Sequence, residues 1–242
     1  AGSPDFNTNV IVPDAATTPN DPEYNATSEV ATLSIELGGI LNAPAGASTL
    51  TVRGTSGAWI NKGTFNPAAG TVIFDNNSNA DDATIAGVTT FNNLTVNSGT
   101  TLRTLTNADI RLGGTFTKTG TFITGAVHSF FRYTGSNQTV VVPDGAQQAY
   151  HNLIITGTGA IFPSSLNING DLTTNAAVDF TGKTINITGQ DNQTQVIGGT
   201  VSPVFNNLVI NNNSGLTNLA ASITVGGTLT LTSGRINIQG YN

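Results

Sequence analysis

The sequence predicts an all-β chain wound as a parallel β-helix, and three observations carry that expectation. One short word returns three times at nearly even spacing: Phe91-Asn92-Asn93-Leu94-Thr95-Val96, Tyr150-His151-Asn152-Leu153-Ile154-Ile155 and Phe205-Asn206-Asn207-Leu208-Val209-Ile210. A fixed period of this size marks repeat architectures, in which each unit buries its apolar face on its neighbour. Short segments such as Leu50-Thr51-Val52 and Leu229-Thr230-Leu231 alternate apolar and polar residues, the period of a half-buried strand. Helices have little to build on, since the chain holds three Glu and three Lys and no apolar pattern at helical period.

The repeat extends on both sides of its anchors. Phe74 stands before Phe91, Tyr133 before Tyr150 and Ile187 before Phe205, at almost the same distance along the chain. Downstream each anchor leads to an alternation closed by Gly: Ile110-Arg111-Leu112-Gly113-Gly114, Leu166-Asn167-Ile168-Asn169-Gly170 and Ile223-Thr224-Val225-Gly226-Gly227. The likeness covers roughly residues 50–238. A period of about 57 residues suits about three coils of about 19, each of three short strands and turns. A β-sandwich also shows short strands at regular spacing, but leaves the returning word unexplained. Gly, Asn and Ser punctuate the strands because they tolerate left-handed turns.

Two regions divide the chain: residues 1–30 as an extended acidic, proline-rich arm or cap, and residues 31–242 as a single solenoid domain. Pro4, Pro13, Pro19 and Pro22 favour extended or turn structure in the first, with Val10-Ile11-Val12 as a strand-like word inside it. Six acids and no Lys or Arg fall between Ala1 and Val52, while positions 53–242 hold eight acids and eight bases. Charged residues are only 9% of the chain, well under the ~25% of ordinary soluble domains. Thr, Asn, Ser and Gly take their place, as where side chains stack in ladders along a coil axis. Without a basic stripe there is nothing to neutralise phosphates, so nucleic acid is not an expected partner. No apolar run reaches the ~18 residues of a membrane span. Cysteine is absent, which excludes disulfides and thiolate metal sites.

Chemistry is sparse. His151 fills the slot that holds Asn92 and Asn206 in the other copies and reads as a polar ladder position, and His128 is the only other histidine. Asp171 and Asp179 lie close along the chain and Asp81 adjoins Asp82, but no series of acids recurs on one face as a glycosidase cleft requires. Asp75, Asn77, Asn79 and Asp81 alternate as oxygen ligands of a hard cation do and form a candidate calcium site. An EF-hand loop would need Gly and Glu where Ala80 and Ala86 stand. No other cofactor is expected. Trp59 is read as core, with stacking on a sugar ring as the rival role. The last alternation, Leu229 to Ile238, is not followed by a copy of Val72–Phe91. Two readings stand: a segment of a longer array, or an open solenoid end whose exposed edge invites association. On the second, the expected assembly residues are Val10, Ile11, Val12, Leu229, Leu231, Ile236 and Ile238. A head-to-tail contact that does not close produces a filament.

Taken together, Trp59-Ile60-Asn61-Lys62-Gly63-Thr64-Phe65, Gly70-Thr71-Val72-Ile73-Phe74, the Phe91 word and Val225-Gly226-Gly227-Thr228-Leu229-Thr230-Leu231-Thr232-Ser233-Gly234 resemble the β-solenoid repeats of large bacterial, Bacteroidota-type, cell-surface adhesin-like proteins. The resemblance implies secretion to the cell surface and a role in adhesion or fibre building. It supplies no catalytic residues. The expectation is a non-enzymatic extracellular structural or adhesive protein, a fibre subunit joining its own copies head to tail, with a glycan or host-surface receptor as a further partner. The alternative is a carbohydrate-binding or carbohydrate-cleaving β-helix module.

Overall fold

Parallel strands stacked rung on rung make up 52% of the chain and wind it into a β-solenoid of about 10 turns, as seen in a computed structural model. Residues 5–17, 21–76, 80–124, 126–189 and 194–241 are described, without the Ser214 side chain. The chain divides into two compact units, Ala1–Ile123 and Thr124–Asn242.

In the first unit one sheet is strictly periodic. Its strands Thr27–Val30, Thr49–Val52, Thr71–Phe74, Asn93–Val96 and Phe116–Lys118 pair in parallel, Ser28 with Leu50, Leu50 with Val72, Val72 with Leu94 and Leu94 with Phe116. The interval between partners is the same at every step. On a second face Leu33 pairs with Trp59 and Trp59 with Ile85, again at a constant interval but a longer one, because the intervening loops are longer. Turns in this unit therefore exceed the ~19 residues that the word period suggests. Inward positions are mostly apolar and close-packed: Trp59 lies 5.0 Å from Phe65 and 5.1 Å from Phe91, ring centre to centre. The Trp59 Nε1–H donates to Thr89 Oγ1 at 2.9 Å, so its one polar atom is satisfied inside the core.

The segment 1–30, expected as an extended arm or cap, supplies two rung strands where it is described. Asn9–Val12 pairs with Thr32–Ile35, setting Val10 beside Leu33 and Val12 beside Ile35. Thr27–Val30 is the first strand of the periodic sheet.

In the second unit three faces alternate. Tyr150 stands over Ile168, Ile168 over Ile187, Ile187 over Ile210 and Ile210 over Leu231. On the next face Phe131, Leu153, Leu172, Ile197 and Leu219 form a second column. On the third, Phe162 packs 4.7 Å from Phe180, which stacks on Phe205 at 5.1 Å. Phe205 thus stands over Phe180, not in the column of Tyr150. The stretch between those two anchors covers two turns and two faces of a third.

The repeated word is a corner. Its aromatic residue turns inward: Phe91 and Tyr150 are 0% exposed and Phe205 1%. Phe91 and Tyr150 each end a strand, and Asn93 and Asn152 begin the next, while the third copy lies within the long strand Val204–Leu219. The second Asn clamps two rungs together. Asn93 Oδ1 accepts the Thr115 N–H at 2.8 Å, Asn152 Oδ1 the Asp171 N–H at 2.8 Å and Asn207 Oδ1 the Thr228 N–H at 2.9 Å. These backbone donors sit at corners, where the side-chain amide takes the place of a ladder carbonyl; Asp171 is half-buried, Thr115 and Thr228 exposed. The clamp also explains the glycine that follows each downstream alternation. A Cβ on Gly114, Gly170 or Gly227 would lie 2.4, 2.5 or 2.7 Å from the clamping Oδ1. Only Gly lets the corner come close enough to be capped.

Candidate functional site

Leu229–Asn237 is the last rung described, and it differs from the rungs beneath it. Leu229 pairs with Leu208 and Leu231 with Ile210, so both occupy core columns. Leu208 and Ile210 are fully buried, whereas Leu229 is 47% and Leu231 57% exposed. Ile238 is exposed and Ile236 half-buried. The cause is geometric: inward-facing aliphatic side chains have a rung below them and none above among the described residues. Covering each Leu would recover part of the about 1.5–3 kcal/mol gained by full burial. Arg235 is the only charged residue on this rung.

The first rung is built differently. Val12 is 2% exposed and belongs to the core, Val10 is half-buried, and Ile11, registered with Ser34, faces solvent. Its surroundings are acidic and partly neutralised. Glu36 meets Lys62 at 3.3 Å, its carboxyl held below the usual range by Ser34 and Lys62. Glu29 takes a two-pronged bond from Arg53, which also reaches Asp75 Oδ2 at 2.9 Å.

That last contact bears on the calcium expectation. Asn77 and Asn79 lie outside the described residues. Asp75 commits one oxygen to Arg53 while its Oδ1 is buried without a hydrogen bond. Asp81 gives its backbone carbonyl to Asn76 Nδ2 at 2.8 Å, and Asp82 is paired with Arg103. Among the described residues no three His, Cys, Asp or Glu gather in a way that could hold a metal ion.

Of the two acids close along the chain, only Asp171 serves the ladder. Asp171 Oδ1 accepts the Val196 N–H at 2.8 Å, extending the Asn152 clamp by one rung, and burial pushes its carboxyl up. Asp179 lies on another face, fully exposed, and its Oδ1 accepts the Thr181 N–H. The structure does not set these two acids at one corner. His128 and His151 meet edge to face at 5.8 Å, and His151 is buried. Trp59 is 0% exposed, so it offers no face to a sugar.

Sequence reasoning passed over a buried tyrosine pair. The hydroxyls of Tyr133 and Tyr150 lie 2.9 Å apart. Tyr133 accepts the Val141 N–H and Tyr150 donates to the Val141 carbonyl. Both phenols are pushed up by burial and are neutral donors at physiological pH. The signal was present: Tyr occurs at both positions of this copy where the others carry Phe or Ile. The pair ties down the stretch that follows Val140.

No family model, curated protein or solved structure matches this chain. The class is defined by the fold: a parallel β-solenoid with polar corner clamps.

Proposed function

We propose that this chain is a non-enzymatic, extracellular structural and adhesive element, a surface fibre subunit whose copies stack head to tail. The observation that carries the reading is the exposure of Leu229 and Leu231 in columns that are fully buried one rung below. A parallel edge with apolar side chains in core register accepts another rung by strand addition. The occupant we assign is the first rung of a second copy. Charge favours it: positions 1–52 carry six acids and no base, while the uncovered rung carries Arg235 and no acid. A heterologous contact of this kind does not close on itself and propagates. The cell-surface location rests on the resemblance to adhesin-like repeats. The non-enzymatic reading is supported by the engagement of Asp75, Asp82, Asp171 and Glu29 in contacts between rungs.

Electron microscopy of the full chain at rising concentration tests this, beside a Leu229→Lys/Leu231→Lys variant. Regular fibres from the parent chain and none from the variant are expected. Discrete particles from the parent at every concentration, or fibres that persist in the variant, would overturn the assembly.

A further inference from the structure

The second unit carries a groove that the ladder does not use. It has a volume of about 560 Å³ and is open to solvent. Its floor is an outward column on three successive rungs, Ile161, Asp179 and Val204. Ile161 pairs with Asp179, and Phe180 with Phe205, which sets Val204 beside Asp179. Ile161 is 52% and Val204 55% exposed, so this column offers aliphatic surface to a ligand. At ~4.8 Å per rung the strip is about 10 Å long.

One wall is a bulge. The register breaks between Phe180 and Thr184, and the chain swings outward through Thr181, Gly182 and Lys183. Gly182 has φ +70, and a Cβ added there would meet nothing within 4 Å, so the bulge stands clear of the rung below. Lys183 is fixed on this wall by donating from Nζ to the Pro163 carbonyl at 3.0 Å. An ammonium has three hydrogens, so two remain for a ligand. Thr181 and Lys183 hold the Asp179 carboxyl below its usual range, making it an ionised acceptor at neutral pH.

We infer that this groove binds a neutral saccharide, one sugar ring lying on the Ile161–Val204 strip with hydroxyls on Asp179 and Lys183. The inference rests on the adhesive part of the proposed function and names its ligand class and site. Two opposed charges side by side favour a ligand without net charge. Hydroxyls satisfy both, donating to the carboxylate and accepting from the ammonium. The C–H face of the ring supplies the apolar contact. A peptide fits less well, because the backbone groups of the floor strands are spent on rung pairing and leave no edge for strand addition. A lipid chain would take the charges of Asp179 and Lys183 out of water and offer no hydrogen bond in its place.

The test is an amide chemical-shift titration of the dilute full chain with cellotetraose, maltotetraose and chitotetraose, and the tripeptide Leu-Gly-Leu as control. At least one saccharide should shift amides of residues 159–162, 177–183 and 204, with a Kd near about 1 mM. Ile161→Ser/Val204→Ser and Asp179→Asn should each weaken it about tenfold with the remaining spectrum unchanged. No shift by about 10 mM saccharide, binding of the tripeptide there instead, or saccharide shifts indifferent to both variants would overturn the inference. Assembly is read separately by microscopy, so either reading can fail while the other stands.

Discussion

Asn152→Ala puts the corner clamp to a quantitative test. The side chain is buried. Its Nδ2 donates to the Ser129 carbonyl at 3.1 Å and its Oδ1 accepts the Asp171 N–H at 2.8 Å. Truncation strands that N–H at a corner, at about 1–3 kcal/mol, and removes a second bond that contributes about 1 kcal/mol. The expected loss is about 2–4 kcal/mol. With a urea m-value of about 1–3 kcal/mol per molar, the midpoint should fall by roughly 1 M, followed by far-ultraviolet circular dichroism. Gly170→Ala approaches the same corner from the other side, since its Cβ would sit 2.5 Å from Asn152 Oδ1 and 2.8 Å from the His151 carbonyl. Overpacking of this kind costs about 1–3 kcal/mol. The two changes must couple, because removing the Asn152 side chain removes one of the two clashes. The double variant should therefore be less destabilised than the sum of the singles, by at least about 0.5 kcal/mol. A loss below about 0.5 kcal/mol for Asn152→Ala, or strict additivity with Gly170→Ala, would refute the clamp as the reason for the repeated word.

Other predictions concern single groups. Burial raises the Asp171 carboxyl, so the folded chain keeps that proton to higher pH than the unfolded chain does. Between the ordinary carboxylate range and the raised value the native state binds more protons, and this group's contribution to stability falls as pH rises. Asp171→Asn keeps an acceptor for the Val196 N–H without a charge to desolvate. It should match or exceed the parent in stability at neutral pH and lose that slope; thermal melts from acid to neutral pH that show a clearly weaker variant would contradict this. Tyr150→Phe removes the donor to the Val141 carbonyl and a partner of Tyr133, and should cost about 1–3 kcal/mol. Limited proteolysis should then cut first within 141–148; unchanged stability would show the pair to be incidental. Because Asp75 is engaged by Arg53, calcium at about 1 mM should leave the melting temperature where EDTA leaves it. A rise of several degrees would instead support the cation site.

The repeat was legible because each feature behind it is local. A strand with one buried face must alternate, a corner must turn, and a corner N–H facing a rung must be capped by a short amide with glycine opposite. Phe91-Asn92-Asn93 and Gly113-Gly114 show all of this in the sequence. Turn length was less legible. Loops can add residues between Leu33 and Trp59 without disturbing the rungs, so the period of the word does not reveal the shorter step from Ser28 to Leu50 or the longer one from Leu33 to Trp59. The same freedom hid the fact that Tyr150 and Phe205 occupy different faces. The groove was out of reach because it depends on a register break after Phe180, which the ordinary run Thr181-Gly182-Lys183 does not announce. Tryptophan gave no misdirection: a lone Trp59 between strand residues proved fully buried. The expected cation set Asp75, Asn77, Asn79 and Asp81 alternates along the chain, yet Arg53, reaching across rungs, decides what Asp75 touches.

Hydrogen exchange along Leu229–Asn237, measured on the full chain at low and high concentration, addresses the proposed assembly most directly. If a second copy lays its first rung on this strand, amides on the uncovered edge should gain protection as concentration rises. Leu229→Lys/Leu231→Lys should abolish the gain while leaving 208–210 protected. Exchange along the strand that stays fast and independent of concentration in the parent chain would contradict the head-to-tail account.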